Sequence, residues 1–164
     1  MPTHVPRLVT IVLDDCPTGT YAGTGASLPE LTLPCLGGGH AVTLTGLTGT
    51  PTIVNIWASW CLPCQREVPA LQSVYATAKT QLRVLGIDME DSDSSALDFA
   101  KHAGMRYPSV IDRNGDVLRR VGYAGPPATL MLDSSGAVVY QQAGEFKNAA
   151  DLRAKVQRYL KVSL

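Results

Sequence analysis

Charge is scarce in this chain. Of 164 residues only 17% are Asp, Glu, Lys or Arg, and 14 basic side chains balance 14 acidic ones. With no basic run or patch, nucleic acid is excluded as an expected partner. No apolar stretch approaches the length of a membrane span. Leu8 to Leu13 is too short for a signal core and is followed by Asp14-Asp15. Those aspartates, in place of small neutral residues, also argue against a lipoprotein site at Cys16, so an export signal or membrane anchor is expected to lie outside this chain. His4, His40 and His102 are isolated from one another, so they assemble no metal site with the four cysteines. No metal and no cofactor are expected.

What is present is concentrated in one string. Thr52-Ile53-Val54-Asn55-Ile56-Trp57-Ala58 reads as a buried strand, Trp60-Cys61-Leu62-Pro63-Cys64 follows, and helical periodicity runs from Gln65 to Lys79. A Cys-x-x-Cys at a strand-to-helix junction puts its first sulfur at the positive end of a helix. There the thiolate is favoured over the thiol, and the thiolate is the form that attacks disulfides. The second cysteine, one turn on, can close a short disulfide with the first. Half of a zinc site is the alternative for this pair, but the two further ligands are missing; a copper carrier meets the same objection.

Cys16 and Cys35 bracket a segment rich in Gly, Thr, Ser and Pro. A disulfide between them would tie this segment down and stabilise the fold by roughly 3 kcal/mol. Such a bridge implies an oxidising compartment. Two separate free cysteines are the alternative.

The length suits one domain with a substantial core. Residues 1–29 are expected to form an arm tethered by the Cys16–Cys35 bridge, and residues 30–164 the domain proper. Leu31–Leu33 and Ala41–Leu44 flank three glycines and predict a small N-terminal hairpin. After the strand at 52–58 comes a helix whose inward face is Val68, Leu71, Val74 or Tyr75, and Ala78, with a kink expected at Pro69. A second strand spans 82–88. Ser95 with Asp98 is the expected cap of a helix running to His102, with Gly104 as its terminator. A short strand at 109–111, a helical turn at 117–121, an antiparallel pair at 129–132 and 137–141, and a helix from Asn148 complete the chain. The inward face of this last helix is Leu152, Val156, Tyr159 and Leu160. Alternating strands and helices closed by a hairpin and a helix predict an α/β fold. Its central mixed β-sheet is expected to carry helices on both faces, as three layers.

Residues 54–64, with Glu67-x-Pro69-x-Leu71, closely resemble the TlpA-like branch of the thioredoxin superfamily. Gly122-Tyr123-x-Gly125-Pro126-Pro127-Ala128-Thr129 and the following Leu130-Met131-Leu132-Asp133-x-x-Gly136 match that branch's cis-proline loop and next strand. The resemblance covers about residues 31–161 in consistent order. It implies a thioredoxin-like fold and an exported, often membrane-anchored thiol–disulfide oxidoreductase. Partners would be protein thiols and disulfides, among them the paired cysteines of apocytochrome c, together with a membrane thiol electron donor or acceptor. An extracytoplasmic location, periplasmic or in the cell envelope, is expected.

Site roles follow from the same resemblance. Cys61 would be the exposed nucleophile and Cys64 the more buried resolving cysteine. Pro63 would restrict the turn, Trp60 and Leu62 would border the substrate groove, and Trp57 would pack beneath it. Asn55 occupies the position where thioredoxins proper carry a buried Asp, so it cannot take a proton. Glu67 would take that part; the alternative makes it a solvated first-turn residue. Pro127 would be the cis proline. Pro126 departs from the family, because the N–H usually offered there to a substrate strand is absent. A disulfide-donating oxidase, a peroxide reductase and a metal carrier on the same fold remain as alternatives.

Overall fold

The structure, a computed structural model, describes residues 12–18 and 28–164. The expectations for residues 1–11 and 19–27, most of the arm, therefore lie outside the described residues. The predicted hairpin is present but shorter: β1 (Thr32–Leu33) and β2 (Val42–Thr43) pair antiparallel, Leu33 opposite Val42. A single 3-10 turn, Leu44–Gly46, leads on to β3 (Thr52–Trp57).

All six residues of β3 are buried, which its β-branched, apolar sequence allows and which requires cover on both faces. Next come α1 (Leu62–Ala78) and β4 (Arg83–Met89), which runs parallel to β3. A parallel neighbour requires such a crossover. Helix α1 is continuous through Pro69 and begins three residues earlier than the periodicity indicated. Its buried face includes Val68, Leu71, Val74 and Ala78, with Tyr75 only partly covered. Then α2 (Asp93–Ala103), β5 (Ser109–Asp112), α3 (Asp116–Val121), β6 (Ala128–Leu132) and β7 (Val138–Ala143) follow in order. The chain closes with α4 (Ala149–Lys155), which widens into a π turn at Val156–Leu160.

The cap of α2 corrects the expectation. Ser92, not Ser95 with Asp98, caps the helix, its Oγ accepting the Ser95 N–H at 3.2 Å. Ser92 has the extended backbone a cap needs, whereas Ser95 is already within the helix. Gly104 ends α2 in the left-handed conformation, at φ 69°.

The main sheet has the order β5-β4-β3-β6-β7, with β3, β4 and β5 parallel and β6 and β7 antiparallel to their neighbours. Strands β3 to β6 are buried almost throughout, while β7 alternates half-buried with exposed residues. This is the thioredoxin-like α/β fold with the extra hairpin.

Cys16 and Cys35 form a disulfide with their Cα atoms 6.0 Å apart. Residues 34–36 run antiparallel against β5: Ile111 N–H donates to the Pro34 carbonyl and Leu36 N–H to the Ser109 carbonyl, each at 2.8 Å. The bridge thus fastens the arm to a strand that the hairpin entry already covers. Asp14 adds a second fastening, accepting from Tyr75 Oη at 2.6 Å and Arg106 at 2.9 Å.

Beneath the site, Trp57 is fully buried, stacked on Phe99 at 5.0 Å, with its indole N–H donating to Ser109 Oγ at 3.1 Å. Gly86, opposite Asn55 in β4, makes this possible. A Cβ there would stand 2.1 Å from Ser109 Oγ and 2.6 Å from Trp57 Nε1.

Candidate active site

The Ala58–Cys61 turn, closed by the Cys61 N–H on the Ala58 carbonyl at 3.1 Å, lifts the chain from β3 onto α1. Cys61 is the N-cap of α1. Its backbone is extended, and its Sγ accepts the Cys64 N–H at 3.2 Å. Pro63 stands in the first turn, where a missing N–H costs nothing, and that turn carries no acidic residue to oppose a thiolate. Cys61 and Cys64 form a disulfide, their Cα atoms 5.3 Å apart.

Exposure departs from expectation. Cys61 is only 5% exposed against 1% for Cys64, because the capping sulfur folds back over the first helical turn. The exposed groups are its neighbours, Trp60 at 57% and Leu62 at 64%. They form an apolar collar around a sheltered sulfur.

The peptide bond between Pro126 and Pro127 is cis. Ala128 pairs with Ile56 in the antiparallel β3–β6 ladder, so Pro127 lies at the sheet end where β3 delivers the cysteines. Pro126 and Trp60 share the walls of a cavity of about 360 Å³ with Met89, Leu118 and Tyr123. Leu62 is not part of that wall.

Glu67 is buried, 2% exposed, so the solvated alternative does not hold. Asn55 Nδ2 donates to its Oε1 at 2.7 Å and to Thr129 Oγ1 at 3.1 Å, and the Phe146 N–H reaches its Oε2 at 3.3 Å. Burial pushes its pKa up to about 7, partly countered by the Asn55 and Phe146 hydrogen bonds. Asn55, read from sequence only as the loss of an acid, is therefore the residue that holds the acid which is present.

Other polar residues near the motif had no role in the sequence reading. Ser59 donates to Asp91 through both its N–H and its hydroxyl, and the Trp60 indole donates to the Glu90 carbonyl. Asp88, at the end of β4, is buried and pushed up to about 9, first by burial and then by Asp91. The acidic run at residues 88–91, directly after a strand, was the available signal. Cys16 and Cys35 lie apart from this cluster, against β5.

A paired disulfide at a helix N-terminus with a buried carboxyl one turn behind it is built for dithiol–disulfide exchange. The Redoxin family profile matches residues 23–157 of the chain. The chain belongs to the Redoxin family. Within it, this Redoxin protein falls in the TlpA-like branch with ResA and DsbE, and is a thiol–disulfide oxidoreductase. It is 32% identical to the thiol-disulfide oxidoreductase ResA of Geobacillus kaustophilus (strain HTA426), over 73% of this chain and 68% of the relative. It is likewise 32% identical to the thiol:disulfide interchange protein DsbE homolog of Paracoccus denitrificans (strain Pd 1222), over 80% and 70%. The crystal structure of a secreted thiol-disulfide isomerase from Corynebacterium glutamicum is similar at a TM-score of 0.68 and 26% identity, covering 82% of this chain and 83% of that one.

Proposed function

We propose that the protein is an extracytoplasmic reductase of protein disulfides, with Cys61 as nucleophile, Cys64 as resolving thiol and Glu67 as proton acceptor. The observation that carries this reading is the Cys61 sulfur seated on the Cys64 N–H in the first turn of α1, with Glu67 buried behind it at a pKa of about 7. In the reduced protein the Cys61 thiolate attacks one sulfur of a partner disulfide. A mixed disulfide forms, and the partner's other sulfur leaves as a thiolate, which takes up a proton. Glu67 accepts the Cys64 proton, and the Cys64 thiolate attacks Cys61 Sγ. The second partner sulfur leaves, and the two electrons of the dithiol have passed to the partner as Cys61–Cys64 closes. A group with a pKa near the working pH suits this transfer.

Trp60, Leu62, Pro63, Pro126 and Pro127 form the partner-facing rim in this reading. The secreted relative and the Cys16–Cys35 bridge support an extracytoplasmic location. The TlpA-like resemblance supports the paired cysteines of apocytochrome c as substrate, a membrane thiol donor that restores the dithiol, and a membrane anchor on the full-length protein.

The test is the reduction potential of the Cys61–Cys64 pair, by alkylation and mass mapping across a thiol redox buffer. A value near or below about −270 mV supports a reductase, and one near about −120 mV would make the protein a disulfide donor.

A further inference from the structure

Ser59 stands two residues before Cys61 yet takes no part in the exchange chemistry. With Trp60 it forms the centre of the Ala58–Cys61 turn. The N–H of the second residue of such a turn has no partner within the turn. Here it donates to Asp91 Oδ2 at 2.7 Å, and the Ser59 hydroxyl donates to Asp91 Oδ1 at 2.8 Å. The Trp60 indole donates to the Glu90 carbonyl at 3.0 Å. Both central residues of the turn are thus tied to the Glu90–Asp91 segment.

That anchor is itself fixed. Glu90 is in the left-handed region at φ 47°, an unusual conformation for a side-chain-bearing residue. Its N–H donates to the Asp112 carbonyl at 3.0 Å, extending the β4–β5 ladder by one bond. The Ser92 N–H donates to Asp91 Oδ1 at 3.0 Å, which fixes the carboxylate's orientation.

We infer that Asp91 is a positioning residue for disulfide exchange: by gripping both donors of Ser59 it fixes the turn that seats Cys61 Sγ on the Cys64 N–H in the first turn of α1. The inference rests on Cys61 being the attacking sulfur. The favourable field of a helix terminus falls off within one turn, so a small rotation at Ser59–Trp60 forfeits it. The charged groups beside Asp91 are Glu90, whose carboxylate is turned toward Gly115, with Asp88, Asp93 and Arg113. Asp93 is paired with Arg113 at 3.0 Å, and Asp88, pushed up to about 9, is neutral at pH 7 and sets no second charge against the clamp.

The test measures the pH profile of Cys61 alkylation by iodoacetamide in the reduced full chain, located by mass mapping, beside the thermal midpoint of each variant. In Asp91→Ala the apparent thiol pKa is expected to rise by about one unit, read directly as a shift of the alkylation profile to higher pH. Asp91→Asn should fall between Asp91→Ala and wild type. Ser59→Ala, which keeps the N–H, should move less than Asp91→Ala, and Ser59→Thr should match wild type. An unchanged profile in folded Asp91→Ala overturns the inference, since the clamp would then be scaffold only. An equal fall in pKa in Asp91→Asn and Asp91→Ala overturns it too, because Asp91 would act as a charge alone. If Asp91→Ala does not fold, Ser59→Ala against Ser59→Thr decides. Alkylation of Cys64 ahead of Cys61 in the wild type overturns the nucleophile assignment first, and with it the reason for the clamp.

Discussion

The two disulfides are buried almost alike. Cys16 and Cys35 are each 6% exposed, Cys61 and Cys64 5% and 1%. Burial therefore does not mark one as reactive and the other as inert. Their polar neighbours do. Cys61 Sγ faces a backbone N–H, that of Cys64, at the positive end of a 17-residue helix. Cys16 Sγ lies 3.4 Å from the Ser109 carbonyl oxygen, and Cys35 Sγ 3.9 Å from that of Leu36. A thiolate is welcomed by the N–H and repelled by the carbonyls. The bridges differ equally in what they close: one spans 19 positions and fastens an arm to β5, the other spans 3 and constrains almost nothing. One sulfur pair is suited to stability and the other to turnover.

The largest test of this contrast exchanges the two losses. Cys61→Ser should abolish disulfide-reductase turnover, by 10³-fold or more on the order expected for a lost nucleophile. It should leave the denaturation midpoint nearly unchanged. The double change Cys16→Ser with Cys35→Ser should do the reverse. It should cost about 3 kcal/mol in urea unfolding and leave turnover within about twofold. If the arm bridge instead governed turnover, the division of labour would be wrong.

Glu67 sharpens the redox side of the comparison. Glu67→Gln should slow resolution of the mixed disulfide at pH 7, on the order of 10²-fold, and remove the titration near pH 7 from the rate profile. The stability effect has the opposite sign. An unfolded chain releases the Glu67 proton near its ordinary 4.5 and the folded chain near 7, so wild-type stability falls as pH rises through that window. The loss is at most about 3 kcal/mol and stays in place above pH 7. Glu67→Gln should flatten that part of the curve, as unfolding at pH 5 and pH 8 will show. Smallest is the effect of Pro126→Val, which restores an N–H on the partner-facing rim. It should tighten a trapped peptide mixed disulfide several-fold, by about one hydrogen bond. Unchanged affinity would mean that the Pro126 backbone does not meet the partner.

Local pattern explains what was readable in the sequence. The strand at 52–57 announced itself by its apolar run, α1 and α4 by their periodicity, and the cysteine pair by its place between strand and helix. What escaped depends on contacts distant in sequence. Asn55 meets Glu67 across 12 positions, and Ser59 meets Asp91 across 32. Neither spacing has a periodic signature, because each crosses from one element to another. The near-complete cover of Cys61 escaped for a different reason. The cysteine's identity marks the capping position but not the direction in which its sulfur turns. The cap of α2 was misplaced by three residues because Ser92, Ser94 and Ser95 all offer hydroxyls, and only the backbone distinguishes them.

The missing side chain at Gly86 carries a consequence for descent. Ser109 Oγ and the Trp57 indole together fill the space that a methyl group at position 86 would need, so position 86 is free to vary only after both have changed. Gly86→Ala on the present chain should displace the indole from Ser109 and unfold or loosen the strand end beneath the cysteines. The same change after Trp57→Leu combined with Ser109→Ala should be far milder, and a double-mutant cycle in thermal unfolding, with that pair as one arm, would measure the difference. A lineage that trades this tryptophan and serine away first gains access to sequences closed to one that begins at the glycine. History, and not only chemistry, then decides which relatives of this fold can exist.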